Sequence, residues 1–268
     1  MIAPGSAPRM KTFFEIFEPR LAAPLADAGL RRYDDFLDCR FGEPVHVSST
    51  TSTSRIAIDG GVFFLKAYRF RTRRPRPFRR HKALREARNY RRMRSLDLNV
   101  PAVAAVGARA RFAAPIDGFI LTQEVPAARS ADEYFAAHWG RPASTYDPRR
   151  RLLLDESADM IANMHAAHFY HVDLQWRNIL ISDESGRADP FLIDCARGGF
   201  RIHPLTRAHG RLRDLSSLYK EARIHLSRTE SARWLRRYFR VRRFTIVHRA
   251  IIHAIVRDRA LKDGPAAS

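Results

Sequence analysis

The sequence predicts an α+β fold in two lobes, an antiparallel β N-lobe followed by a mainly helical C-lobe. Three observations carry this. Short runs rich in β-branched and aromatic residues, broken by turn signals, crowd residues 43–125. Helical periodicity and helix-start signals take over from residue 130. With 268 residues the chain can bury a substantial core in one large domain or two lobes. The expected boundaries are an N-terminal extension over 1–31, a first lobe over 32–126 and a second over 127–268.

In chain order, "EPVHV" (43–47) reads as a short strand and "SSTTSTS" (48–54) as a polar loop. "RIAIDGGVFFLKAYRF" is two strands joined at Asp59-Gly60, a hairpin signal. In "FRTRRPRPFRR" (70–80), prolines and packed arginines forbid regular structure. From Arg80 to Leu96, Leu84, Ala87, Tyr90 and Met93 recur at helical spacing. Strands follow at "AVAAVGA" and "GFILTQEV". Ser130 with Glu133 makes a capping-box pattern opening "SADEYFAAHW". Asp147-Pro148 starts the helix "RRRLLLDESADMIANMHAAH", with proline at its first position. "NILISD" and "PFLIDC" are strands about a turn, and helical patterns fill 211–223, 228–240 and 244–260. No internal repeat is present.

Charge narrows the partners. Lys plus Arg is 48 against 28 acids, a net +20, and most of the excess is arginine. Such a field implies an anionic partner: nucleic acid, an acidic membrane face or a phosphorylated substrate. The two cysteines, Cys39 and Cys195, argue against a disulfide framework or a zinc cluster. The N-terminal stretch lacks a signal-peptide core, and no apolar run approaches the roughly 20 residues of a spanning helix. The expected location is therefore cytoplasmic, touching a membrane surface.

Chemistry concentrates in "HVDLQWRNIL" (171–180) and "FLIDCA" (191–196). Phosphoryl transfer needs positioning and charge neutralisation more than covalent chemistry. One carboxylate must orient or deprotonate the acceptor hydroxyl, oxygen ligands must hold magnesium on ATP, and a lysine must hold the α- and β-phosphates. "HVDLQWRN" supplies His171, Asp173, Leu174 and Asn178 at the spacing of H-R-D-L-x-x-x-N. Asp194 follows a predicted buried strand, with room for one hairpin between it and Asp173. Lys66 lies on the third predicted strand and Glu86 on the helix after it. A lone D-x-x-x-x-N is a weak signal, but this ordered set on these elements is a strong one.

On these residues the chain resembles the lipopolysaccharide core kinases of the WaaP/Kdo-kinase type, which have a protein-kinase-like fold. The likeness extends to "AIDGGVFFLKAYRF", "REARNYRRMRSLDLNVPAVAAVG", "MHAAHFYHVDLQWRNIL", "FLIDCARGGFR" and "RLRDLSSLYKEARIHLSRTESARWLRRYF", in order. It implies a bilobal kinase-like fold and an ATP- and Mg2+-dependent transfer to a heptose or Kdo hydroxyl of a lipopolysaccharide-type glycolipid. It also implies that Asp173 is catalytic, that Lys66 binds ATP and pairs with Glu86, and that Asn178 and Asp194 hold the metal. No nucleic-acid partner is expected, and the oligomeric state is left open.

Departures from protein kinases matter too. The loop at Ser49, Thr50 and Thr51 has no G-x-G-x-x-G, so hydroxyls and backbone amides there are expected to cover the phosphates. Val172 replaces the arginine that pairs with a phosphorylated activation loop, and Cys195-Ala196 replaces Phe-Gly. Gln175 stands where many protein kinases carry lysine, so Arg177 or Arg197 is expected to supply charge at the γ-phosphate.

Blander readings stand beside these. His165, His168 and His171 lack a carboxylate or cysteine at ligand spacing, which argues against a metal site. Seven arginines plus Lys82 in residues 69–82 exceed what solubility requires, and an anionic lipid surface fits them better than a solvated face. Two readings of "WLRRYFRVRRFTIVHRAIIHAIVRDR" stay open, a membrane interface and packing on the helical lobe. Trp176 either shapes a sugar pocket or closes the catalytic loop. The rival functions are an aminoglycoside- or choline-type phosphotransferase, whose pocket for polycations would be acidic, and a binding module with a degenerate kinase fold.

Overall fold

The computed structural model describes residues 10–69, 81–111, 114–140, 147–184 and 186–263. The arginine-rich segment 70–80 lies outside the described residues. The chain forms two compact units, Met1–Arg91 with Pro101–Glu124, and Arg92–Val100 with Val125–Ser268.

The first unit is built on a six-stranded antiparallel sheet. Its strands are β1 (Met10–Ile16), β2 (Glu43–Val47), β3 (Thr51–Ile58), β4 (Gly61–Arg69), β5 (Val103–Arg111) and β6 (Ala114–Gln123). They lie in the order β1-β5-β6-β4-β3-β2. The β3–β4 turn sits at Asp59 and Gly60, both at positive φ, as a two-residue hairpin of this hand requires. The polar run at 48–54 is a loop only as far as Thr50. Thr51–Ser54 continues β3 and pairs with Leu65–Tyr68, because β-branched threonine suits the pleat.

The segment set apart as an extension contributes to this sheet. β1 pairs antiparallel with β5, and Phe14 packs on Phe36 and Phe119. Leu25, on helix α1 (Ala22–Asp27), and Leu30 are buried in the same core as Phe36, on helix α2 (Tyr33–Leu37). Helix α3 (Lys82–Arg94) buries Ala87, Tyr90 and Met93, as the periodicity predicts, but Leu84 is only half-buried and Ala83 is buried beside it. Glu86 takes a fully buried place in the stripe instead.

The second unit is mainly helical. α4 (Ala131–Trp139) starts where expected, with the Glu133 carboxylate accepting the Ser130 N–H. α5 (Pro148–Ala166) is capped by Asp147, whose carboxylate accepts the N–H of Arg149 at 2.7 Å. α6 (Pro204–His225) begins seven residues before its apolar pattern, since its first two turns are mostly exposed and give no hydrophobic period. α7 (Arg228–Phe239) and α8 (Ile246–Asp263) complete the helices. The buried Arg150 guanidinium ties four of them together. It donates to Glu230 and to the His225 carbonyl, both at 2.6 Å, beneath the rings of Phe135 and Trp139.

Short strands frame the loops. β7 (Ala128–Ser130), β9 (Ile179–Ser182) and β10 (Asp189–Leu192) form one small antiparallel sheet, in the order β10-β9-β7. β8 (Phe169–Tyr170) pairs with β11 (Gly199–Phe200).

Candidate active site

In the first unit, Lys66 sits on β4 between Thr53 and Ile120 of the neighbouring strands. Its Nζ lies 3.3 Å from the Glu86 carboxylate, which is 2% exposed. Two phenols share that carboxylate: Tyr68 donates to Oε2, and Tyr90 donates to Oε1 at 3.5 Å. Strand alternation puts Lys66 and Tyr68 on one face, and helix spacing stacks Glu86 and Tyr90. A buried carboxylate is costly unless paired and hydrogen-bonded, and these three donors meet that cost.

At the β2–β3 turn, the Ser48 N–H donates to the Thr51 carbonyl at 2.8 Å, and the Thr51 N–H to the Ser48 hydroxyl at 3.1 Å. Ser49 and Thr50 stand exposed at its tip, while Thr51 is half-buried and its amide already engaged.

In the second unit, the loop leaving β8 carries Asp173 and Asn178. Asn178 donates its amide N–H to the Asp173 carbonyl at 2.8 Å, which leaves Oδ1 as its remaining polar atom. The Ile193 N–H donates to the Asn178 carbonyl at 3.0 Å, continuing the β9–β10 ladder by one residue, so Asp194 is the next residue beyond that pair. His171 Nε2 lies 2.8 Å from the Ile193 carbonyl and pins the same strand end to the loop. Asp173, Asn178 and Asp194 are thus gathered around one hairpin end. Gln175 donates to Asp173 Oδ1 at 2.7 Å and fixes the carboxylate's orientation.

The loop backbone is strained and held from below. Val172 has φ +70 and Asp194 φ +57, left-handed values that a β-branched residue adopts only under constraint. The constraint is Asp214 on α6, fully buried, which accepts the N–H groups of His171 at 2.9 Å and Val172 at 2.6 Å. His165 Nε2 lies 3.1 Å from Asp214, and its Nδ1 meets the Tyr238 hydroxyl at 2.7 Å. Further along α6, Glu221 accepts the Trp176 N–H at 2.8 Å and the Leu218 carbonyl accepts the indole N–H at 3.0 Å. Trp176 is buried against Phe135 and closes the loop from within. Sequence reasoning missed Asp214 and Glu221. The available signal was two carboxylates seven residues apart on a helix face that also carries Leu215, Leu218 and Ala222.

Glycine is required at two approaches. A Cβ on Gly198 would sit 2.4 Å from the Cys195 sulfur and 2.8 Å from the Tyr170 carbonyl. One on Gly210 of α6 would sit 2.7 Å from the Tyr170 ring.

Among the described residues, no group of three His, Cys, Asp or Glu side chains could hold a metal by itself. Asn178 and Asp194 instead offer oxygen only, the donor set of a hard cation that also takes phosphate and water ligands. The residues fit such an ion. The rings of His165 and His171 have separate partners, His165 meeting Asp214 and Tyr238 while His171 meets the Ile193 carbonyl.

A family model described as the lipopolysaccharide kinase (Kdo/WaaP) family matches residues 65–238. No curated protein matches the chain. Among solved structures, "WaaP in complex with acyl carrier protein" is similar, with a TM-score of 0.69 and 23% identity, covering 92% of this chain and 98% of that one.

Proposed function

The chain belongs to the lipopolysaccharide kinase (Kdo/WaaP) family and is a phosphotransferase, and on that premise we propose that it transfers the γ-phosphate of ATP to a sugar hydroxyl, a heptose or Kdo, of a lipopolysaccharide inner core. One observation carries the reading. Asp173, Asn178 and Asp194 lie in the backbone around one hairpin end, and the buried Asp214 carboxylate holds the loop backbone there in a strained conformation.

In this reading Lys66, steadied by Glu86, holds the α- and β-phosphates. Exposed Ser49 and Thr50, with the Thr51 hydroxyl, cover the phosphates from the β2–β3 turn. Asn178 and Asp194 would hold a magnesium ion, which when bound neutralises charge on the β- and γ-phosphates. Asp173 orients the acceptor hydroxyl and takes its proton as the oxygen attacks the γ-phosphorus and the bond to the bridging oxygen breaks. ADP leaves, and the proton passes to solvent. Val172 cannot make the ion pair that an arginine there makes with a phosphorylated loop, which supports a site assembled without that control.

No described helix is long and apolar enough to cross a membrane. We read the enzyme as acting from the surface of the membrane that carries its glycolipid. The acyl carrier protein of the similar structure is a partner to test here, by titrating it into the purified chain.

The test is phosphate transfer from ATP to isolated lipopolysaccharide cores, with mass-spectrometric localisation of the product. Asp173→Ala should abolish transfer while ATP binding persists. Transfer at the wild-type rate by the variant would remove Asp173 from the reaction, and wild-type transfer only to a small amine alcohol would replace the substrate reading.

A further inference from the structure

Helix α8 packs one face on its neighbours. Ile252 and Ile255 line an apolar cavity with Leu215 and Leu218 of α6, and Asp258 accepts the Ser216 hydroxyl at 2.5 Å. Its other face is apolar and cationic, where a solvated helix face is ordinarily polar. Ile246 is 86% exposed and Val247 66%. From Arg240 to Arg257 the sequence has five arginines and no carboxylate.

A groove of about 680 Å³ runs beside this corner between α5 and α7 and ends at Val241 and Arg242. Its two carboxylates, Asp155 and Asp159, are already paired with Arg233 and Arg237. Arg236 and Arg242 line the same groove and are exposed, as is the adjoining Arg243. The groove therefore carries a net positive charge next to exposed aliphatic side chains.

We propose that the corner where α7 meets α8 docks on an anionic phospholipid bilayer. Headgroup phosphates take Arg236, Arg242 and Arg243, and Ile246 and Val247 reach the acyl boundary. Arginine stems are long enough to lie along the apolar layer with the guanidinium among headgroups. A bilayer favours cations and bare aliphatic side chains together and needs no matching shape, so it fits this corner better than an acidic protein does. The inference takes its purpose from the glycolipid-kinase reading. Its test measures binding rather than turnover, so either can fail alone.

The experiment is sedimentation of the full chain with phosphatidylcholine vesicles, with and without phosphatidylglycerol. The wild type should bind only the anionic vesicles. Arg236→Ser/Arg242→Ser/Arg243→Ser should bind them about a hundredfold more weakly, at roughly a factor of five per basic residue lost near an anionic surface. Ile246→Ser/Val247→Ser should weaken binding too, with the loss persisting in high salt, where the charge contribution is screened. Both variants should melt with the wild type, because the altered side chains are exposed. If the triple variant melts early, Arg242→Glu/Arg243→Glu, confined to the connection between helices, replaces it and should lose binding by at least as much. Equal binding to neutral and anionic vesicles, wild-type binding by the charge variant, or capture of a soluble acidic protein with no vesicle binding would each overturn the proposal.

Discussion

Gln175 shows how one side chain changes the chemistry expected of a motif. At a position where lysine would meet the γ-phosphate, its amide instead donates to Asp173 at 2.7 Å. Gln175→Ala removes one charge-assisted hydrogen bond from the carboxylate, so kcat should fall about ten- to a hundredfold while KM for ATP stays unchanged. A rise in that KM with normal kcat would assign Gln175 to the nucleotide. Tyr68 plays the matching part in the other unit. Tyr68→Phe leaves the buried Glu86 with one donor fewer, which should cost roughly 1.5–3 kcal/mol of stability and weaken ATP binding through a loosened Lys66. Unchanged urea unfolding and unchanged KM would show the hydroxyl to be dispensable. The residues named from sequence share a property with the motif that betrayed them: their chemistry fixes both type and spacing. Asp214 and Glu221 act on backbone N–H groups, which every residue has, so no partner in the sequence points to them.

Strands with near neighbours in sequence, such as β3 and β4 about Asp59-Gly60, are legible because turn chemistry and alternation agree. β1 is not, since three strands and three helices intervene before its partner β5, and nothing local announces the pairing. The start of α3 is equally local and has a consequence. His81 Nδ1 accepts the Ala83 N–H at 3.2 Å, while Nε2 lies 2.6 Å from the Asp117 carbonyl, a neutral ring bridging helix and sheet. Burial lowers its pKa below the ordinary 6.5, against smaller opposing contributions from Asp117. A depressed histidine pKa means that the unfolded chain binds the proton more readily. The contribution of His81 is therefore complete above the unfolded pKa and declines as pH falls from about 6.5 toward the folded value. Thermal melts should show a loss over that window that His81→Asn, which keeps a capping oxygen, reduces. An identical pH dependence in the variant would assign the loss to other groups.

At the scale of the whole molecule, sequence and structure contribute different things. The fold class and the net charge of +20 can be read from composition and pattern, because both are sums over many residues. Where that charge acts is a question of place, and two basic stretches bear on it. One is the α7–α8 corner. The other is the tract at 70–80, known from its sequence alone. Arginine and proline are mostly surface residues in folded proteins, so Arg71→Ser/Arg73→Ser/Arg74→Ser/Arg76→Ser should leave the fold intact. Long-range attraction to a lipid-borne anionic acceptor should weaken, and kcat/KM should fall several-fold at low salt. Turnover at saturating acceptor should change less, since the reacting groups are untouched. Raising salt should erode the wild-type advantage, and the variant should show the flatter dependence because it has fewer charges to screen. Adding the α7–α8 charge substitutions should lower kcat/KM further if the two stretches attract the membrane independently, and should add nothing if the tract alone does. Equal kcat/KM for the tract variant and the wild type at low salt, or identical salt slopes, would leave the tract as a solvated face.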